Sequence, residues 1–302
     1  MTILAFAETR ILVQGITGRE AITFTSESLQ YGAKIVAGVT PGKGGQNVHG
    51  VPVYDSVAQA VRAHACDATV ISVPARFVQD AVAEAVDNGI KLLVIVTERI
   101  PRRDAVAIVE RAERAGARVV GPNSLGVISP GQTRIGMSGG SADAVRLAYK
   151  PGHVGVISRS GGMMTEIANL LTQAGIGQST CVSIGGDPII GTTTLDLLPL
   201  YEADPDTHGL VLFCEPGGVM EEQLAERLMA QPSRLRIVAF VAGRFADRMQ
   251  GMRFGHAGTI VEGSKGSPAA KMDLLREAGV RVAEKFSEIP GLVWAESVVP
   301  LG

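Results

Sequence analysis

One histidine in this chain has a setting that admits two readings, a structural residue or a carrier of a transferred group. His256 lies in Phe254-Gly255-His256-Ala257-Gly258, between glycines that leave its imidazole approachable from several sides. Imidazole is nucleophilic near neutral pH and can hold a group in transit. A lone histidine is more often structural, so the assignment needs partners. Glu215, in Glu215-Pro216-Gly217-Gly218, stands where an apolar run stops, and a carboxylate there can orient the second ring nitrogen. His49, His64, His153 and His208 lack such settings and are given no role.

Other glycine-bearing turns offer backbone to a ligand. In Ser158-Arg159-Ser160-Gly161-Gly162 the hydroxyls and N–H groups either cap the helix that follows or hold an anion at its start. Gln14-Gly15-Ile16-Thr17-Gly18-Arg19-Glu20-Ala21 reads Gly-x-x-Gly-x-x-Ala, short of the dinucleotide fingerprint, and is either a tight turn or a phosphate site. Thr40-Pro41-Gly42-Lys43-Gly44-Gly45 follows the second strand, where a dinucleotide-binding fold commonly carries an acid for a ribose hydroxyl. The cation here suits a phosphate better, which favours a phosphorylated adenosine ligand such as coenzyme A over NAD; a solvated lysine is the alternative. Val96-Thr97-Glu98 and Gly121-Pro122-Asn123 end two further strands and would line the same crevice, although Glu98 is equally readable as an exposed loop carboxylate.

The elements that must position these turns alternate. Short apolar runs at 10–14, 34–39, 68–73, 92–96 and 118–120 read as strands, with helices over 20–30, 57–64, 78–88 and 104–115 between them. A second series has strands at 154–157, 180–184, 210–213 and 237–241 and helices over 163–173, 195–201, 220–229 and 269–277. Strand–helix alternation predicts an α/β chain with parallel sheets covered on both faces. The expected division is a first domain over 1–125, a Gly/Ser/Pro-rich irregular connection over 126–152, and a second domain over 153–302.

Bulk properties exclude several classes. The 302 residues are 46% hydrophobic, enough for two cores, and the formal charge of −2 gives no electrostatic ground for a nucleic-acid partner or an acidic membrane. No run of 18 or more uncharged apolar residues suggests a transmembrane helix, and Met1 to Arg10 lacks the pattern of a signal peptide. Cys66, Cys181 and Cys214 are odd in number and widely spaced, so no metal site or disulfide framework is expected, and the plain expectation is a cytoplasmic protein with reduced thiols.

Taken together and in order, Gln14-Gly15-Ile16-Thr17-Gly18, Gly38-Val39-Thr40-Pro41-Gly42-Lys43-Gly44-Gly45, Gly121-Pro122-Asn123, Ser158-Arg159-Ser160-Gly161, Ile184-Gly185-Gly186-Asp187-Pro188 and Gly255-His256-Ala257-Gly258 resemble the α subunits of the succinyl-CoA synthetase family. The resemblance implies a Rossmann-like CoA-binding domain followed by a flavodoxin-like CoA-ligase domain. It implies that Thr17, Gly18, Arg19, Glu20, Lys43, Val96, Thr97 and Glu98 bind coenzyme A, with Asn123 at the same strand ends. It further implies that His256 is phosphorylated, that Glu215 hydrogen-bonds its imidazole, and that the helix after Ser160-Gly161 points its N-terminus at the phosphohistidine. In the family's reaction ATP or GTP with magnesium, held by an ATP-grasp β subunit in an αβ or α2β2 assembly, phosphorylates the histidine. A small carboxylate then becomes an acyl phosphate, and the CoA thiol takes the acyl group. Succinate-specific members usually read Ser-Arg-Ser-Gly-Thr, with a Tyr just before the Glu. Here those positions are Gly162 and Thr165, and the smaller side chains imply a roomier acid site and a di- or tricarboxylate substrate; the glycine pair followed by Met163, the stretch Arg134-Ile135-Gly136-Met137-Ser138-Gly139-Gly140 and Phe254 are similar to ATP citrate lyase and citryl-CoA synthetase.

Overall fold

The computed structural model describes residues 2–243 and 267–293. The first series runs β1 (Arg10–Gln14), α1 (Arg19–Tyr31), β2 (Lys34–Val39), β3 (Asn47–Val48), β4 (Val51–Tyr54), α2 (Val57–Ala63), β5 (Ala68–Ile71), α3 (Val78–Asp87), β6 (Leu92–Ile95), α4 (Arg102–Arg114) and β7 (Arg118–Val120). Its sheet has the order β3-β4-β2-β1-β5-β6-β7. All pairs are parallel except the short hairpin β3/β4, which the alternation in the sequence did not reveal. Without β3, the order is the doubly wound one that reverses direction between β1 and β5. The strands are apolar runs because both faces are covered. Along β1, Ile11 and Val13 enter one core and Leu12 the other; along β6, Leu92 and Val94 alternate with Leu93 and Ile95 in the same way.

The second series runs β8 (Gly126–Ser129), β9 (Thr133–Gly136), α5 (Ala142–Ala148), β10 (Pro151–Ser158), α6 (Gly161–Gln173), β11 (Gln178–Ser183), α7 (Thr194–Ala203), β12 (Gly209–Cys214), α8 (Met220–Ala230), β13 (Arg236–Val241), α9 (Pro268–Glu277), β14 (Arg281–Val282) and α10 (Ile289–Val293). The sheet order is β14-β13-β12-β10-β11-β8-β9. The strands from β10 onward are parallel, in the flavodoxin-like arrangement whose direction reverses between β10 and β12. The rest is as expected of an α/β fold, with α7, α8 and α9 on one face and α5, α6 and α10 on the other.

Residues 126–152, expected to be an irregular connection, instead supply β8, β9 and α5, and the two strands extend the second sheet antiparallel. Their pattern was hidden because polar residues are buried in them. Ser129 Oγ donates to Ala5 O at 2.7 Å, and the buried Arg134 donates through Nε to Ser28 Oγ at 3.1 Å. Those partners belong to the first series, so local periodicity could not announce them. Gly126, at φ 103°, is required where β8 meets β9: an added Cβ would lie 1.9 Å from Ile135 O. One core cluster is continuous across the two sheets, joining Phe24 and Val13 to Val127, Ile135 and Val182. Glu27 of α1 accepts the Ala142 N–H at 2.7 Å, at the start of α5.

Candidate functional site

The first crevice lies at the carboxyl ends of β1, β5, β6 and β7, where the strand order reverses. Gly18, Arg19, Glu20, Val73, Pro74, Val96, Thr97, Glu98 and Asn123 line a cleft of about 540 Å³ that extends to Leu125 and Met137 of the second series. Gly18 is the N-cap of α1 and no side-chain cap hydrogen bond is made there among the described residues. The first-turn N–H groups of α1 therefore remain available at the crevice, at the positive end of the helix dipole. Thr17 ties the two phosphate-type loops together, its hydroxyl donating to Thr40 Oγ1 at 3.2 Å. Lys43 is exposed on the second loop, whose shape is held by the Gly44 N–H donating to Asp55 Oδ1 at 2.9 Å. Thr97 is anchored by its hydroxyl to Val73 O at 2.7 Å, and its own carbonyl accepts the Asn123 N–H at 3.0 Å. Glu98 is exposed and pairs with Arg99 at 3.3 Å. The residues expected along this crevice are thus brought together, with Lys43 on the adjoining loop. Neither Lys43 nor Arg19 has an ion-pair partner among the described residues. An uncapped helix start with nearby cations fits the phosphates of coenzyme A.

The second group is built on β10 and β12. Ser158 ends β10 and Ser160 is the N-cap of α6, accepting the Met163 N–H at 3.4 Å. Ser158 Oγ donates to Ser160 O at 2.5 Å and accepts from Ser160 N at 3.1 Å, so both hydroxyls shape the turn. The helix begins at Gly161, and no acidic side chain stands in its first turn. The two glycines differ. Gly161 packs on Leu125, whereas an added Cβ at Gly162 would meet nothing within 4 Å among the described residues. Thr165 does not simply leave space: its hydroxyl lies 2.9 Å from the hydroxyl of Tyr149, whose phenol burial pushes above its ordinary pKa range.

Glu215 follows β12, with its side chain 12% exposed. Arg159, 11% exposed, lies beside it, Nε to Oε2 at 3.9 Å. The Arg159 guanidinium donates from Nη2 to Asp187 O at 3.0 Å. Asp187 Oδ1 accepts from Asn123 Nδ2 at 3.1 Å, which connects this group to the first crevice. Gly185 makes that approach possible: at φ 105°, a Cβ would sit 2.1 Å from Pro122 O. Arg159, Asp187 and Tyr149 were not singled out from the sequence. For Arg159 the signal was its place between two serines of a strand-end turn; Tyr149 carried none, because its partner Thr165 is met only when α5 and α6 pack. Lys271 of α9 is fully buried and donates to Glu221 Oε2 at 2.6 Å, Glu222 Oε2 at 2.8 Å and Gly218 O at 3.2 Å. Burial works to lower the Lys271 pKa, but the two carboxylates outweigh it and hold it above the ordinary value.

His256 and its flanking glycines lie outside the described residues. The described chain on either side ends close to Glu215: Ala242 N–H donates to Cys214 O at 3.0 Å, Gly243 packs on Pro216, and α9 is clamped to Gly218 through Lys271. Among the described residues no cluster of His, Cys, Asp and Glu could hold a metal ion, and no helix is long and apolar enough to cross a membrane.

Comparison with known proteins agrees with this layout. Residues 6–99 match the CoA binding domain model and residues 157–281 the CoA-ligase model. The chain is 46% identical to a succinate–CoA ligase [ADP-forming] subunit alpha 1 of Archaeoglobus fulgidus, over 96% of each. It is 42% identical to an ADP-forming sulfoacetate-CoA ligase subunit of Bilophila wadsworthia, over 98% of this chain and 99% of that one. A structure of ATP citrate lyase from Methanothrix soehngenii in complex with citrate and coenzyme A superposes with TM-score 0.89 at 27% identity, covering 96% of this chain; the chain spans 50% of that longer protein. With likeness of this extent along almost its whole length, the chain belongs to the α-subunit family of ADP-forming succinate–CoA ligases and related acid–CoA ligases.

Proposed function

We propose that the chain is the CoA-binding and phosphoryl-carrying subunit of an NDP-forming acid–CoA ligase, acting in the cytoplasm on a small di- or tricarboxylate. The observation that carries this reading is the shared wall of the two groups: Leu125 lines the first crevice and packs under Gly161 at the start of α6. A thiol delivered along the crevice and an anion held at that helix would meet there. In this reading Thr17, Gly18, Arg19 and Glu20 hold coenzyme A through the start of α1, Lys43 meets a phosphate, and Val96, Thr97, Glu98 and Asn123 line the rest of its path. His256 takes the phosphoryl group, Glu215 orients its imidazole, and the N–H groups of Gly161 and Gly162 stabilise the added charge, with Ser158 and Ser160 shaping the turn. An ATP-grasp β subunit brings ATP or GTP with magnesium, in an αβ or α2β2 complex. The exposed Gly162 leaves room at the start of α6 for an acid bulkier than succinate, citrate being the case suggested by ATP citrate lyase; sulfoacetate, named for a relative, is a dianion like succinate and a second candidate that does not need the extra room.

The test uses the full chain purified with its nucleotide-binding partner and labelled ATP. The expected result is an acid-labile, base-stable phosphoprotein that disappears in His256→Ala, with CoA binding retained. An unlabelled wild type would sink the reading in favour of a non-catalytic CoA-binding protein. A screen of carboxylates for CoA-dependent phosphate release then identifies the acid.

A further inference from the structure

We infer that Arg159 is a positioning residue for Glu215, holding that carboxylate in place across the point where the second sheet reverses its strand order; the inference rests on the phosphohistidine reading of His256 and Glu215. β10 lies between β11 and β12 in the sheet. Arg159 follows β10, so its side chain stands between the turn after β11 and the turn after β12, hydrogen-bonded to the first and in charge contact with the second. On one side Nη2 donates to Asp187 O at 3.0 Å; on the other Nε faces Glu215 Oε2 at 3.9 Å. The first contact is itself fixed from the other domain, by Asn123 Nδ2 donating to Asp187 Oδ1 at 3.1 Å and Gly186 N–H donating to Asn123 O at 3.1 Å. The guanidinium therefore rests on a rigid support. Among the described residues, the buried Nε has no hydrogen-bond partner, an arrangement a protein tolerates where the charge serves a neighbour. A planar guanidinium can donate to Asp187 O from one edge while presenting its charge to Glu215 from another, a combination that a lysine cannot reproduce.

A residue that acts only through Glu215 should lose its effect once Glu215 is altered. The experiment measures the rate of phosphoenzyme formation by rapid quench for the wild type, Glu215→Gln, Arg159→Met and the double variant, each as the full chain with its nucleotide-binding partner. Arg159→Met is expected to slow the step by up to about 100-fold, the scale of a misplaced catalytic group. The double variant is expected to be no slower than the slower single variant, within about threefold, with the CoA dissociation constant unchanged. Multiplicative losses in the double variant would overturn the inference, because Arg159 would then act on the reacting groups independently. If Arg159→Met does not fold, Arg159→Lys keeps the charge without the fork and is expected to slow phosphorylation at an unchanged melting temperature; a wild-type rate there overturns the inference equally. An unlabelled wild type would instead remove the phosphohistidine reading on which it rests.

Discussion

Gly161 and Gly162 open the same helix, yet adding one methyl group should push the protein's stability in opposite directions. At Gly162 the new Cβ meets nothing within 4 Å, so Gly162→Ala gains only the lower backbone entropy of alanine in the unfolded chain, up to about 0.5–1 kcal/mol. At Gly161 the same atom would lie 2.2 Å from Leu125 Cγ and 2.4 Å from its Cδ1. Leu125 is held between the cleft and α6, so it must shift, and overpacking of this kind costs about 1–3 kcal/mol. The net expectation for Gly161→Ala is a loss of about 1–2 kcal/mol. For a chain of 302 residues that lowers the melting temperature by about 1.5–3 °C, while Gly162→Ala raises it by up to about 1.5 °C. Gly162→Asp extends the experiment. A carboxylate in the first turn adds about 0.3–1 kcal/mol through the helix dipole, but it also occupies the place where the phosphoryl group is proposed to rest. Its stability should rise while phosphoenzyme formation falls. Thermal unfolding followed by circular dichroism decides the first pair. A Gly161→Ala variant as stable as the wild type would refute the close contact, and a Gly162→Asp variant with unimpaired phosphorylation would refute the anion position.

Other outcomes follow from buried groups. Lys271→Met removes the cation between Glu221 and Glu222 and leaves Glu221, 6% exposed, unpaired; urea denaturation should register a loss of about 3–5 kcal/mol, and a loss under about 1 kcal/mol would contradict the geometry. Because the folded-state pKa of Lys271 is raised, its stabilising contribution is fully present below the ordinary lysine pKa of about 10.4 and is lost as pH rises through the higher folded value. Stability should therefore fall at strongly alkaline pH in the wild type, with this component missing in Lys271→Met. Burial pushes the Cys66 thiol up to about 11, so at pH 8 about one molecule in a thousand carries the thiolate, and reaction with thiol reagents should be far slower than for a free cysteine.

The parallel strands were legible because each is covered on both faces and must be apolar along its length, as in Leu92-Leu93-Val94-Ile95. The glycine turns were legible because tight strand-to-helix connections need them, and α1 and α6 begin where those turns end. The hairpin of β8 and β9 was not, since Ser129, Thr133 and Arg134 are polar residues buried inside it. The place of Thr165 also escaped the sequence, because its partner Tyr149 lies 16 residues away on the chain and meets it only when α5 and α6 pack.

The amino-acid sequence by itself determined the alternation of elements, the turns that face a ligand and the family to which the chain is similar, all of which depend on neighbours within a few residues. Only the tertiary structure decided which turns meet. The strand order β12-β10-β11 sets Arg159 between Glu215 and Asp187, and the packing of one sheet on the other sets Asn123 against Asp187. These contacts join residues 28 to 64 positions apart, and their formation depends on burial and sheet pairing rather than on any local pattern.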